Sequence, residues 1–103
     1  MWFTASLLLE DVAEGRHKNR TFWEDRIVLV EADDADDATQ MAQQIGVKAQ
    51  HSYVAANGDH ISVTFRSVER VYEVQPNELK HGVELFSRTL RTSEIESLLT
   101  PFD

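Results

Sequence analysis

The sequence predicts an α+β domain: a mostly antiparallel sheet with one long helix packed on a face and a short helix at the C-terminal end. Three observations predict it. Apolar residues alternate at period two along residues 2–11, and they recur at helical spacing from Ala35 to Ile45. Between two alternating stretches stands Asn57-Gly58, the dipeptide that most strongly favours a tight hairpin. The element order along the chain is β-β-α-β-β-β-β-α.

Residues 2–11 form the first strand, with Phe3, Ala5, Leu7 and Leu9 on one face and Trp2, Leu8 and Glu10 on the other. Residues 12–24 are polar and place Arg16-His17-Lys18-Asn19-Arg20 in a loop at the far end of a hairpin. Residues 25–32 form the second strand. Its apolar run Ile27-Val28-Leu29-Val30 predicts an interior position, covered at least in part on both faces. Asp33 or Asp34 caps a helix through Ile45, because a carboxylate accepts from free N–H groups at the positive end of the helix. Ala35, Ala38, Met41, Ala42 and Ile45 make a slim apolar stripe, and Gly46 is expected to end the helix.

Residues 48–56 and 59–66 flank the Asn57-Gly58 turn. A two-residue turn sets Val54 opposite Ile61, Ser52 opposite Val63 and Gln50 opposite Phe65, with Ile61, Val63 and Phe65 inward. The other face then carries His51 opposite Thr64, Tyr53 opposite Ser62 and His60 opposite Ala55. Residues 68–75 read as another strand with Val68, Tyr72 and Val74 in alternation, broken by Pro76-Asn77. Gly82 closes a short loop before a last strand at 83–91. Ser93 and Glu96 form a capping box for a final helix with Ile95, Leu98 and Leu99, stopped by Pro101. The helix between the second and third strands leaves room for one parallel pair. No repeat or linker divides the chain, so residues 1–103 form a single domain.

Composition narrows the function. With 42% hydrophobic and 27% charged residues the chain can bury a core, which excludes a disordered segment. Absence of cysteine excludes disulfides and thiolate metal sites and fits a reducing compartment. The N-terminus lacks the pattern of a signal peptide, and the apolar runs are far shorter than the ~20 residues of a membrane helix. A soluble cytoplasmic protein is expected. Eighteen acidic against ten basic residues give a net charge of −8, which repels nucleic acid, attracts a basic protein and keeps a small domain soluble.

Candidate chemistry is sparse. The four glycines, Gly15, Gly46, Gly58 and Gly82, stand too far apart for a phosphate loop, and no serine sits in a G-x-S-x-G elbow. Glu31, Asp33, Asp34, Asp36 and Asp37 enter a helix, whereas a calcium loop needs alternating acids, a glycine turn and a distal Glu. In the expected register His51 and His60 are ~13 Å apart, too far for one zinc ion with ligands at ~2 Å. No catalytic residue, metal or cofactor is expected. Trp2, Phe22 and Trp23 are expected to seal the edge of the core. The polar and aromatic face formed by His51, Tyr53, His60, Ser62, Thr64 and Arg66 has the composition of a docking surface.

Several segments together resemble a family of short bacterial proteins, domain-of-unknown-function family 4288. They are Trp2-Phe3 at the start, Trp23-Glu24-Asp25 leading into Ile27 to Ala32, the acidic and alanine-rich stretch Asp33 to Ala42, Tyr53 with Gly58, the strand ending near Val68, and Gly82-Val83-Glu84-Leu85. The chain departs from the pattern near Thr64, where members often carry tryptophan. The resemblance implies a bacterial origin and a compact fold, and it implies no reaction. The expected function is a non-enzymatic protein-binding module, in its most concrete form an immunity protein that neutralises a basic toxin. Two alternatives are a small-molecule-binding or enzymatic domain with a pocket near Tyr53 and His51, and a homodimer paired through an edge strand.

Overall fold

Residues 1–15, 20–76 and 78–100 are described by a computed structural model. Its frame is set by β1 (Trp2–Glu14) and β2 (Arg20–Glu31), an antiparallel pair in which Phe3 lies opposite Val30 and Leu9 opposite Glu24. Both strands run longer than the sequence predicts. The residues expected in a long loop extend the ladder, with Asp11 opposite Phe22 and Ala13 opposite Arg20. Within the basic cluster, Arg16 to Asn19 lie outside the described residues, and Arg20 opens β2.

After β2 the chain enters α1 (Ala35–Ala49), where the Asp34 side chain accepts from the backbone N–H of Asp37 at 2.8 Å. The cap is as the sequence predicts, but the end is not. Gly46 lies inside α1, buried against Phe65, and the helix closes at Gln50. Its sheet-facing row is Ala38, Ala42 and Gly46, spaced four apart, while Met41 and Ile45 flank the contact and stay exposed. Small side chains let the helix axis approach the sheet closely.

The hairpin pairs β3 (His51–Val54) with β4 (His60–Glu73), completing a four-stranded sheet in the order β2-β1-β4-β3 with every neighbour antiparallel. The coarse α+β prediction stands. The six-strand order does not, nor does the parallel pair. Residues 60–73 form one strand because bulges at Arg66 and Glu69 let it bend and continue along β1. The second bulge changes the alternation: Val68 and Val71 face α1, while Tyr72 faces the opposite side opposite Thr4.

Residues 83–91, expected as a strand, join no ladder, and Arg91 already caps the helix that follows. They cross the sheet face opposite α1 as an extended strap. Thr4 Oγ1 donates to Leu85 O, Tyr72 donates to the Glu84 carboxylate, and Arg88 lies 3.7 Å from Asp25. Thr4 and Ser6 are buried on this face, and the Ser6 hydroxyl is satisfied by Asp25. Among the described residues, α2 (Thr92–Leu99) packs against no other helix or strand, and Glu94, not Glu96, accepts from the first-turn backbone at Arg91 N–H.

The core is one layer between α1 and the sheet: Phe3, Ala5, Leu7, Leu9, Val30, Ala38, Ala42 and Val63 are buried there. Helix length decides how far it reaches. Fifteen helical residues span about 22 Å at 1.5 Å each, whereas the thirteen of β1 span about 44 Å at 3.4 Å each. Half of the sheet therefore extends past the helix. That half includes the β3–β4 hairpin.

β2 corrects another expectation. It is an edge strand, and on the strap face Trp23, Ile27 and Leu29 are 56%, 45% and 42% exposed. Only the alternate residues, including Val28 and Val30, turn toward the core.

Candidate functional site at the hairpin end

The β3–β4 turn holds three residues, Ala56, Asn57 and Gly58. Ala55 N–H bonds Asp59 O at 2.8 Å across its neck. Gly58 adopts φ of +90°, a left-handed conformation that glycine reaches without steric cost, and Asn57 Oδ1 accepts from Asp59 N–H. The extra residue moves the register by one from the expected pairing. His51 lies opposite Val63, Tyr53 opposite Ile61, Ser52 opposite Ser62 and Val54 opposite His60.

A one-residue shift exchanges the faces of β3 while leaving β4 as expected. Val63 is buried and Ile61 and Phe65 pack on the core, as predicted. His51 and Tyr53, however, turn to the α1 side, His51 against the last residue of the helix and Tyr53 beyond it. His60, Ser62 and Thr64 occupy the strap side, and Arg66, at its bulge, reaches Glu10 there. The six residues expected on one face thus divide, two against four. His51 and His60 lie on opposite sides of the sheet, and among the described residues no three His, Asp or Glu side chains group as metal ligands.

On the α1 side the His51 and Tyr53 rings stack with centroids 5.7 Å apart and planes 17° from parallel. His51 Nδ1 is held 2.8 Å from Ala49 O at the end of α1, which fixes the ring orientation. Gln50 Oε1 accepts from Phe65 N–H, so a side chain extends the ladder where β3 stops.

In the same cross-strand row as His51 and Val63 lies Asp11. Its Oδ1 is buried without a hydrogen-bond partner among the described residues. Desolvation is the main cause that raises its carboxyl above the usual aspartate value, Glu24 adds to it, and Arg26 and His51 oppose it. Nothing in the sequence warns of this, because an acid at the polar end of a strand reads as solvent-facing.

On the strap side an open hollow of about 550 Å³ is lined by Glu14, Ser52, Tyr53, Val54, His60 and Ser62. Glu14, His60 and Val54 form one cross-strand row, and Ser62 and Ser52 lie in the next. Glu14 and Val54 were missed by sequence reasoning: the first depended on β1 continuing to residue 14, the second on the shifted register. Trp23, expected to seal the core, is instead more than half exposed, opposite Glu10 on this face.

β3 is the outer strand of this end, and all four of its residues are exposed. Because Ala55 and Asp59 form a hydrogen-bonded pair, the alternation of an antiparallel ladder turns the N–H and C=O groups of Ser52 and Val54 outward. The site therefore joins a strand edge that no described strand pairs, a stacked aromatic pair on one side and a carboxylate-bearing hollow on the other.

No described helix is long and apolar enough to cross a membrane. Neither the curated proteins nor the solved structures contain a match to this chain. A family model described as a domain of unknown function, DUF4288, matches residues 2–87, a span that holds all four strands, α1 and most of the strap. The chain belongs to the DUF4288 family.

Proposed function

We propose that the domain is a non-enzymatic protein-binding module that receives an extended, basic segment of a partner along β3. The observation that carries this reading is the exposed edge strand itself, with the outward backbone groups of Ser52 and Val54. An added strand would satisfy those groups, and side chains on alternate sides would select the sequence. Glu14 in the hollow suits a lysine or arginine of that segment, and the preset His51–Tyr53 stack offers flat area on the other side. The net charge of −8 favours encounter with a basic partner. An immunity protein of a bacterial cytoplasm that neutralises a basic toxin is the concrete form of this proposal.

The test is capture of a partner from a bacterial lysate by the wild-type chain and by two variants, at low and high salt. Val54→Pro removes one outward donor without touching a bond to β4, and Glu14→Lys reverses the charge of the hollow. A salt-sensitive partner held by the wild type and lost by both folded variants supports the proposal. Equal capture by all three contradicts it. The hollow also supports a second reading, a small-molecule site beside Tyr53 and His60. A compound that shifts the Ser62 and His60 resonances with no protein partner present would favour it.

A further inference from the structure

We infer that the opposite edge of the sheet, β2, pairs with β2 of a second copy of this chain. The inference concerns a different strand from the partner site above and stands or falls separately. β2 has twelve residues and, among the described residues, a ladder on one side only. The bond from Ala32 N–H to Met1 O marks residues 1 and 32 as a hydrogen-bonded pair. Alternation along the ladder then turns the backbone groups of Trp23, Asp25, Ile27 and Leu29 outward.

An isologous two-fold pairing must place equal strands antiparallel, with residue i opposite j and j opposite i. One register satisfies the charges. Centred on Asp25, it sets Glu24 of each copy opposite Arg26 of the other, Trp23 opposite Ile27, and Phe22 opposite Val28. Centring on Glu24 or on Arg26 would oppose like charges at the axis with no such return. In the Asp25 register Glu24 and Arg26 fall at non-hydrogen-bonded positions, where opposing side chains come closest. Within one chain the two already form an ion pair at 2.8 Å on one side of the strand, so pairing closes a four-charge ring. The two Asp25 carboxylates meet at the axis, but each is already engaged by Ser6 and Arg88 of its own chain. On the strap side the half-exposed Trp23 and Ile27 of the two copies cover one another. The occupant that fits this edge is therefore the same edge rotated by half a turn.

Sedimentation of the full chain at about 0.1 mM and 0.15 M salt, where the Debye length is about 8 Å, tests the inference. Wild type should sediment as a dimer. Glu24→Arg and Arg26→Glu each oppose like charges across the axis and should weaken the dimer about tenfold or more. An equimolar mixture of the two variants should restore it, because every cross-axis pair is then opposite in sign. Restoration on mixing cannot come from misfolding of either variant. Amide exchange of wild type adds a readout that needs no variant: Trp23, Asp25 and Ile27 should gain protection as concentration rises. A monomeric wild type, a dimer that both single variants retain, or exchange at these amides independent of concentration would overturn the inference.

Discussion

The Phe65 ring lies against the bare backbone of Gly46, so close that a Cβ on Gly46 would stand 2.7 Å from Phe65 Cγ and nearer still to Cδ1. Gly46 is thus a packing residue that lets α1 settle on β4. In an open helix, alanine would gain about 1 kcal/mol over glycine. Here overpacking of about 1–3 kcal/mol opposes it, because the ring is held on the core. Gly46→Ala should lower the urea-unfolding free energy by about 1 kcal/mol, and adding Phe65→Leu should return part of the loss.

Asp34 should matter more than its neighbours. Of the run Asp33, Asp34, Asp36 and Asp37, it is Asp34 that caps α1, its side chain accepting from the Asp37 backbone N–H at 2.8 Å. Asp34→Ala should cost about 1 kcal/mol in thermal or urea unfolding. Asp33→Ala should change stability by less than half of that.

Asp11 predicts the opposite sign. Its folded carboxyl titrates above the unfolded value, so the folded state binds more protons in the window between the two. Stability should fall as pH rises through that window and stay level above it. Asp11→Asn should therefore stabilise the domain at pH 7, by about 1 kcal/mol or less, since a partly solvated acceptor loses only part of the cost of burial. Urea titrations of both proteins should show the difference shrinking toward pH 4.

The strap depends on Tyr72. Its hydroxyl donates to Glu84, and that bond, with smaller help from desolvation and the charge of Glu84, holds the phenol proton above the usual tyrosine value. A raised phenol contributes to folding below pH 10 and loses the contribution as pH rises through the folded value. Tyr72→Phe should speed proteolysis within residues 83–90 at neutral pH and remove the late component of the tyrosinate absorbance titration. Unchanged cleavage would show that Thr4 and Arg88 suffice to hold the strap.

Local signals were well written in the sequence, and long-range ones were not. Phe3, Ala5, Leu7 and Leu9 announced the core face of β1, and the pair Asp33-Asp34, of which the structure uses Asp34, announced the start of α1, because each depends on neighbours within a few residues. The hairpin failed by one position. Asn57-Gly58 fits a two-residue turn, but Asp59 bonds both Ala55 and the Asn57 side chain, and the chain closes around three residues. That single step moved His51 and Tyr53 to the other side. The run Ile27 to Val30 misled in another way: it reads as doubly buried, yet partial cover from the strap leaves Ile27 and Leu29 half exposed at an edge. Nothing in residues 83–91 distinguishes a strap from a strand, since both are extended and only the partner differs. The hollow depended on all of these placements and so could not be read in advance.

Amide hydrogen exchange at Ser52 and Val54 tests the central claim most directly. Both N–H groups point away from β4, so in the free domain they should exchange nearly as fast as unstructured amides, while Tyr53, bonded within the hairpin, exchanges more slowly. In complex with the captured basic partner the account predicts strong protection at Ser52 and Val54 together. A tight complex that leaves both amides exchanging freely would contradict it.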